Sequence, residues 1–209
     1  MNVLFLAAEA SPFSKVGGLG DVAGELPRCL RRLGMNVPTV IPLHASTDTS
    51  SLVVDRSLKL SVPRGGGEVA ATVHLARSGD QPVWLVDSES IRSAQSIYSH
   101  PAEDGEKYAL FCRAALSACE AQGWIPDIVH AHDWHAAASV VWARQLRFTS
   151  PAWAASRTVL TVHNLAYMGA GSEAALEAHH LPLPDLAGLP AWAQRMPLPL
   201  GLVAADGVT

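Results

Sequence analysis

No run of Lys or Arg in this sequence exceeds two residues, and the formal net charge is −4. Nucleic-acid binders carry a basic patch or stripe, so that class is excluded. No stretch approaches the ~20 apolar residues of a membrane span. The apolar start Met1–Ala8 is short, lacks a basic flank and ends at Glu9, which does not fit a signal peptide. A soluble cytoplasmic protein without membrane partners is the expectation. Cysteine is scarce: Cys29, Cys112 and Cys119 are odd in number, widely spaced and outside any C-x-x-C pair. That usage reads as free thiols in a reducing compartment. Cys112 and Cys119 lie seven apart in a helical stretch, which puts both on one face, read as the buried one. Charged residues make up only 16% against 49% hydrophobic, so the chain holds enough apolar mass for a core and is not disordered.

The nucleotide-binding fingerprints that glycine usually signals are also missing. There is no G-x-x-x-x-G-K-[ST] and no G-x-G-x-x-G. Instead, a continuously apolar strand at Val3–Ala8 runs into the turn Lys15-Val16-Gly17-Gly18-Leu19-Gly20-Asp21. A helix is expected over Val22–Leu33, with Pro27 as a kink or a late start and Gly34 as its stop. A second strand follows at Asn36–Ile41. This βαβ opening predicts parallel pairing. A hairpin is expected from 52–62 and 68–76 around Gly65-Gly66-Gly67, then a strand at Val83–Val86 and a polar loop over 88–103. Further on come a helix at Lys107–Gln122, a strand at Asp127–His132, a helix at Trp134–Leu146 and a strand at Arg157–Val162. Beyond 168 the prolines at 182, 184, 190, 197 and 199 predict no long element. The closing Ala204-Ala205-Asp206-Gly207-Val208-Thr209 reads as the entry to a strand. There is no internal repeat. One Rossmann-like, doubly wound, mostly parallel α/β domain over 1–209 is the expectation.

Three strand ends carry unusual residues, and in open α/β sheets ligands bind beyond the carboxyl ends of strands. In the first, paired glycines let backbone approach a ligand, and Lys15 adds a charge suited to phosphate, although a tight turn needs glycine for sterics alone. The second is His130-Ala131-His132-Asp133-Trp134-His135. His130 and His132 share a strand face, and Asp133 suits a helix N-cap. Trp134 is either a platform for a sugar face or core. A zinc hydrolase of the H-x-H-x-D-H kind would need its aspartate where Trp134 stands, so a hydrogen-bonded polar cluster is the better reading. The third, His163-Asn164, offers donors and acceptors to a hydroxylated ligand.

Taken in order, Ala8-Glu9, Pro12-Phe13, Lys15–Val22, Pro126–His135 and Thr161–Gly169 resemble bacterial glycogen synthases and plant starch synthases. The resemblance covers nearly the whole chain, with 45–100 and 170–200 matching loosely. It implies the N-terminal half of a two-domain GT-B glycosyltransferase. That enzyme would move glucose from ADP-glucose to the non-reducing end of an α-1,4-glucan, with no cofactor and no metal. By the resemblance Lys15, Gly17 and Gly18 meet the donor, Asp21 bonds the donor or orients the loop, His163 and Asn164 meet the transferring glucose, and Asp133 lies near the acceptor hydroxyl; Trp134 is taken as substrate-binding. It also implies a second, nucleotide-binding domain as partner, without which this chain would be inactive. The alternative is a non-catalytic module that holds glucan or a partner.

Overall fold

A computed structural model describes the chain except Gln95 and Asp185. Its strands form one eight-stranded sheet: β1 (Val3–Leu6), β2 (Thr39–Pro42), β3 (Val53–Arg64), β4 (Gly67–Ser78), β5 (Gln81–Asp87), β6 (Ile128–His132), β7 (Arg157–Thr161) and β8 (Gly207–Val208). The spatial order is β3-β4-β5-β2-β1-β6-β7-β8. From β5 to β8 every pairing is parallel. The β3–β4 hairpin adds on antiparallel at one edge. The expected doubly wound α/β architecture is therefore observed. β1 and β2 are buried along their whole length. Strands covered on both faces are continuously apolar rather than alternating, which is why they were legible.

The helices are α1 (Gly18–Arg32), α2 (Glu89–Arg92), α3 (Pro101–Ala121), α4 (Asp133–Thr149), α5 (Glu173–Ala178) and α6 (Pro197–Ala204). Strand order runs one way from β1 through α1 to β2 and the opposite way from β6 through α4 to β7. Right-handed crossovers then place α1 and α4 on opposite faces. α3 packs against α4, and α4 against α6. Cys112 and Cys119 are both buried on α3 and form no disulfide.

Three expectations need correcting. α1 starts at Gly18, not Val22, and runs straight through Pro27, so Gly18 and Gly20 form its first turn. The stretch 88–103 is not simply loop. Ser88 Oγ accepts from the Ile91 N–H to cap α2, and α3 begins at Pro101, where a missing N–H costs nothing. Beyond 168 no long element forms, as expected: α5 and α6 span six and eight residues, and α6 carries Pro197 and Pro199 inside its first turn, the one place a helix tolerates them. Asp133 is not an N-cap but the first residue of α4, with a left-handed φ of 56°.

A buried ion pair ties the segment before α3 to that helix. Lys107 is 0% exposed, and its Nζ lies 2.7 Å from Asp104 Oδ1. It also donates to the carbonyls of Ser96 (3.1 Å) and Ile97 (2.7 Å). Asp104 in turn accepts from the Ser99 N–H. At the far end of the hairpin a second clasp holds the tip. Arg64 donates to Glu106 at 2.8 and 3.1 Å, and Glu106 lies 2.9 Å from His179 Nε2. The Gly65 N–H donates to the Ala178 carbonyl at 2.7 Å. Removing one partner of a buried pair strands the other charge. Lys107→Met is therefore expected to destabilise the chain by about 3–5 kcal/mol in urea unfolding; a loss below about 1 kcal/mol would contradict the pairing.

Candidate active site

The strand order reverses between β1 and β6, and a crevice opens at such a switch point beyond the carboxyl ends. Here it is a cavity of about 800 Å³ lined by Gly17, Gly18, Asp133, Trp134, His163 and Asn164. All three strand tips singled out in the sequence meet in it, at a volume typical of small-ligand sites. The N-terminus of α1 reaches the wall at Gly17 and Gly18, and a helix N-terminus favours anions. A Cβ on Gly18 would meet nothing within 4 Å, so the space beside it is left to a ligand. Lys15 and Asp21 do not line the cavity. They stand at its rim, paired at 2.6 Å and roughly half-exposed.

Asp133 joins the second and third tips. Its Oδ1 accepts from the backbone N–H groups of His163 (2.7 Å) and Asn164 (3.2 Å). The carboxylate that was read as a helix cap thus faces the neighbouring strand instead. Holding a non-glycine residue at positive φ costs on the order of 1–3 kcal/mol, and such strain gathers at functional sites. Trp134 is mostly core, 8% exposed, and packs edge-on against Tyr108 at 5.3 Å. A Cβ on Gly169 would fall 2.6 Å from its ring, so only glycine lets the 166–170 loop close over it.

Beneath the cavity lies a row of imidazoles. His132 Nδ1 is 2.9 Å from His163 Nε2, and the His130 and His132 rings lie tilted at 37° with centroids 4.3 Å apart. His130 Nε2 meets Thr161 Oγ1 at 2.8 Å. Burial lowers His130 to about 4 and His132 well below the usual range, and their like-charged neighbours add to this. Both rings are neutral at pH 7. No group of three or more metal-binding side chains occurs among the described residues.

Three wall residues were given no role from the sequence, although Glu9 and His135 stood within the stretches it singled out. Glu9 at the tip of β1 is 1% exposed. Its carboxylate accepts from the N–H groups of Val16 and Gly17 and from the Tyr98 hydroxyl at 3.0 Å. It shapes the glycine turn. The signal was a charged residue directly after an apolar strand, and it stood in the motif that carries the resemblance without a role of its own. Tyr98 lay in the stretch read as loop, and burial raises its hydroxyl far above the ordinary range. His135 is buried between Tyr98 (5.0 Å) and Tyr108 (4.6 Å), and burial lowers it to about 3.

The fold and cavity define an α/β domain with a polar crevice at its switch point, a helix N-terminus on one side and the His163-Asn164 tip on the other. Residues 2–209 match the family described as starch synthase catalytic domain, and the chain belongs to it. It is 38% identical over 188 residues to a glycogen synthase of Anaeromyxobacter dehalogenans, covering 87% of this chain and 38% of that protein. It is 34% identical over 174 residues to glycogen synthase 2 of Geobacter sulfurreducens, covering 81% and 36%. A solved structure, the catalytic domain of starch synthase IV from Arabidopsis thaliana bound to ADP and acarbose, superposes with a TM-score of 0.86 at 25% identity. That match covers 99% of this chain and 44% of the other. The chain thus spans little more than a third of the length of these curated relatives.

Neutral buried histidines make stability depend on pH. His44, His130 and His135 are lowered from 6.5 to about 4, 4 and 3, in each case chiefly by burial. Between those values and 6.5 the unfolded chain binds protons that the folded chain refuses. Stability is therefore full above pH 6.5 and falls below it. Glu106, lowered to about 2 because His179 and Arg64 outweigh its burial, adds a further loss below 4.5. Urea unfolding at pH 5 is expected to give a stability about 5 kcal/mol below that at pH 7; a flat profile over this range would show that the rings are charged or exposed.

Proposed function

We propose that this chain forms the acceptor-side wall of a retaining glucosyltransferase using ADP-glucose and an α-1,4-glucan. The observation that carries the reading is the convergence of α1's N-terminus, His163-Asn164 and Asp133 on one cavity at the switch point. In the reaction the bond from the sugar's C1 to the ADP oxygen breaks, and a bond from C1 to the acceptor hydroxyl oxygen forms. The acceptor's proton leaves with the diphosphate. Positive charge develops on the sugar ring, negative charge on the leaving group.

The wall suits both. The positive end of α1 and the rim lysine Lys15 face the diphosphate, with Lys15 released from Asp21 when a phosphate takes its place. His163 and Asn164 receive the glucose, and the neutral His130–His132 row puts no opposing charge beneath it. Asp133 acts as a positioning residue by holding the 163–164 backbone, while Trp134 supports the acceptor side. A reducing, cytoplasmic setting belongs to the same proposal, since Cys112 and Cys119 are buried free thiols. Nothing in the proposed chemistry calls for a metal or a cofactor.

Preorganised electrostatics need both walls of a cleft. Residues 1–209 alone are therefore expected to bind without turnover. In saturation-transfer NMR, ADP-glucose and maltohexaose should each give signals with the folded chain, and His163→Ala should abolish the glucosyl signals. A folded chain giving no signal with either ligand would end the reading. Robust transfer of glucose to glycogen by these residues alone would overturn the half-site claim.

A further inference from the structure

A second constellation lies outside the cavity, on the opposite side of β5 from β1. Three neighbouring strands bring together Ser57 of β3, His74 of β4 and Asp87 at the end of β5. Ser57 and His74 are direct cross-strand partners, so their side chains share a face. Ser57 Oγ lies 2.8 Å from His74 Nδ1. His74 Nε2 lies 3.3 Å from Asp87 Oδ2. This is the order nucleophile, base, orienting carboxylate, which is recognised by geometry rather than by position in the chain.

The details fit the roles. Ser57 is exposed and His74 half-buried, while Asp87 is buried at 8%. Burial alone would raise the Asp87 carboxyl, but its bonds from Arg92 and His74 outweigh this and keep it ionised. An ionised Asp87 accepts the Nε2–H of His74. That leaves Nδ1 with its lone pair toward the serine hydroxyl. β3 is the edge strand, so Ser57 lies on the outermost strand of the sheet. A bulge between Val54 and Arg56 turns the strand just before it. A cavity of about 560 Å³ opens next to Asp87, floored by Ala70 and Thr72 of the same β4 face as His74.

The geometry points to a serine esterase site on the hairpin face, acting on small carboxylic esters. Ser57 Oγ attacks the acyl carbon as its proton passes to His74 Nδ1. The carbon–alkoxy bond breaks, and the alcohol leaves with that proton. Water then attacks the acyl-serine, gives its proton to Nδ1, and releases the acid while Ser57 regains its hydrogen. No co-reactant beyond ester and water is needed, and the site is independent of the sugar cavity.

The test uses the purified chain with a fluorescent fluorophosphonate, followed by peptide mapping, and 4-nitrophenyl acetate as substrate. The expected adduct is on Ser57, formed at a rate that rises with pH and is unaltered by saturating ADP-glucose. Ser57→Ala should carry no adduct there. His74→Gln, which can still hydrogen-bond but is not a base, should slow labelling and hydrolysis by about 100-fold or more. No adduct on folded wild type, an adduct elsewhere, or wild-type rates in His74→Gln would each overturn the inference. Peptide mapping of the wild type decides the matter even if a variant fails to fold.

Discussion

The reversal of strand order between β1 and β6 governs the rest of the molecule. The two strands are in register from Val3 opposite Ile128 to Leu6 opposite Ala131, and β7 continues that register beside β6. Their carboxyl ends are therefore level, and their crossovers depart in opposite directions, leaving the gap above them uncovered. Every wall residue of the cavity follows from that geometry. What the register cannot supply is a conformation for the loops leaving the tips. Two buried carboxylates supply it, each taking backbone N–H groups that no strand or helix satisfies. Glu9 does this for the glycine turn and Asp133 for the His163-Asn164 tip.

Much of this was legible in the residues. Runs such as Val3–Ala8 can only be strands covered on both faces, and the triple glycine at 65–67 marks its hairpin unambiguously. The three tips were legible because polar residues ending apolar strands are costly unless they serve something. The misreadings share one cause. Glycine and proline were treated as breakers, yet α1 opens on Gly18 and α6 on Pro197, where a first turn needs no N–H. Glu9, Tyr98 and the true role of Asp133 rest on contacts across 89 and 30 residues, for which local pattern has no signal.

Histidine appears in two opposed settings. In the row beneath the cavity, burial strips the rings of charge and makes them hydrogen-bonding furniture. On the hairpin face, His74 sits between a hydroxyl and a carboxylate near water, where an imidazole can exchange protons. The same residue type thus serves shape in one place and reactivity in the other, and solvent access decides which.

The clasp at the hairpin tip carries a mechanical consequence. Arg64 and Gly65 are fastened to α3 and α5, and α5 directly follows the loop that closes over Trp134. The cavity roof is therefore moored at its far end to the outermost strands of the sheet. A shift of that peripheral ribbon would pull on the long α3 and the short α5, and through α5 on the loop over the cavity.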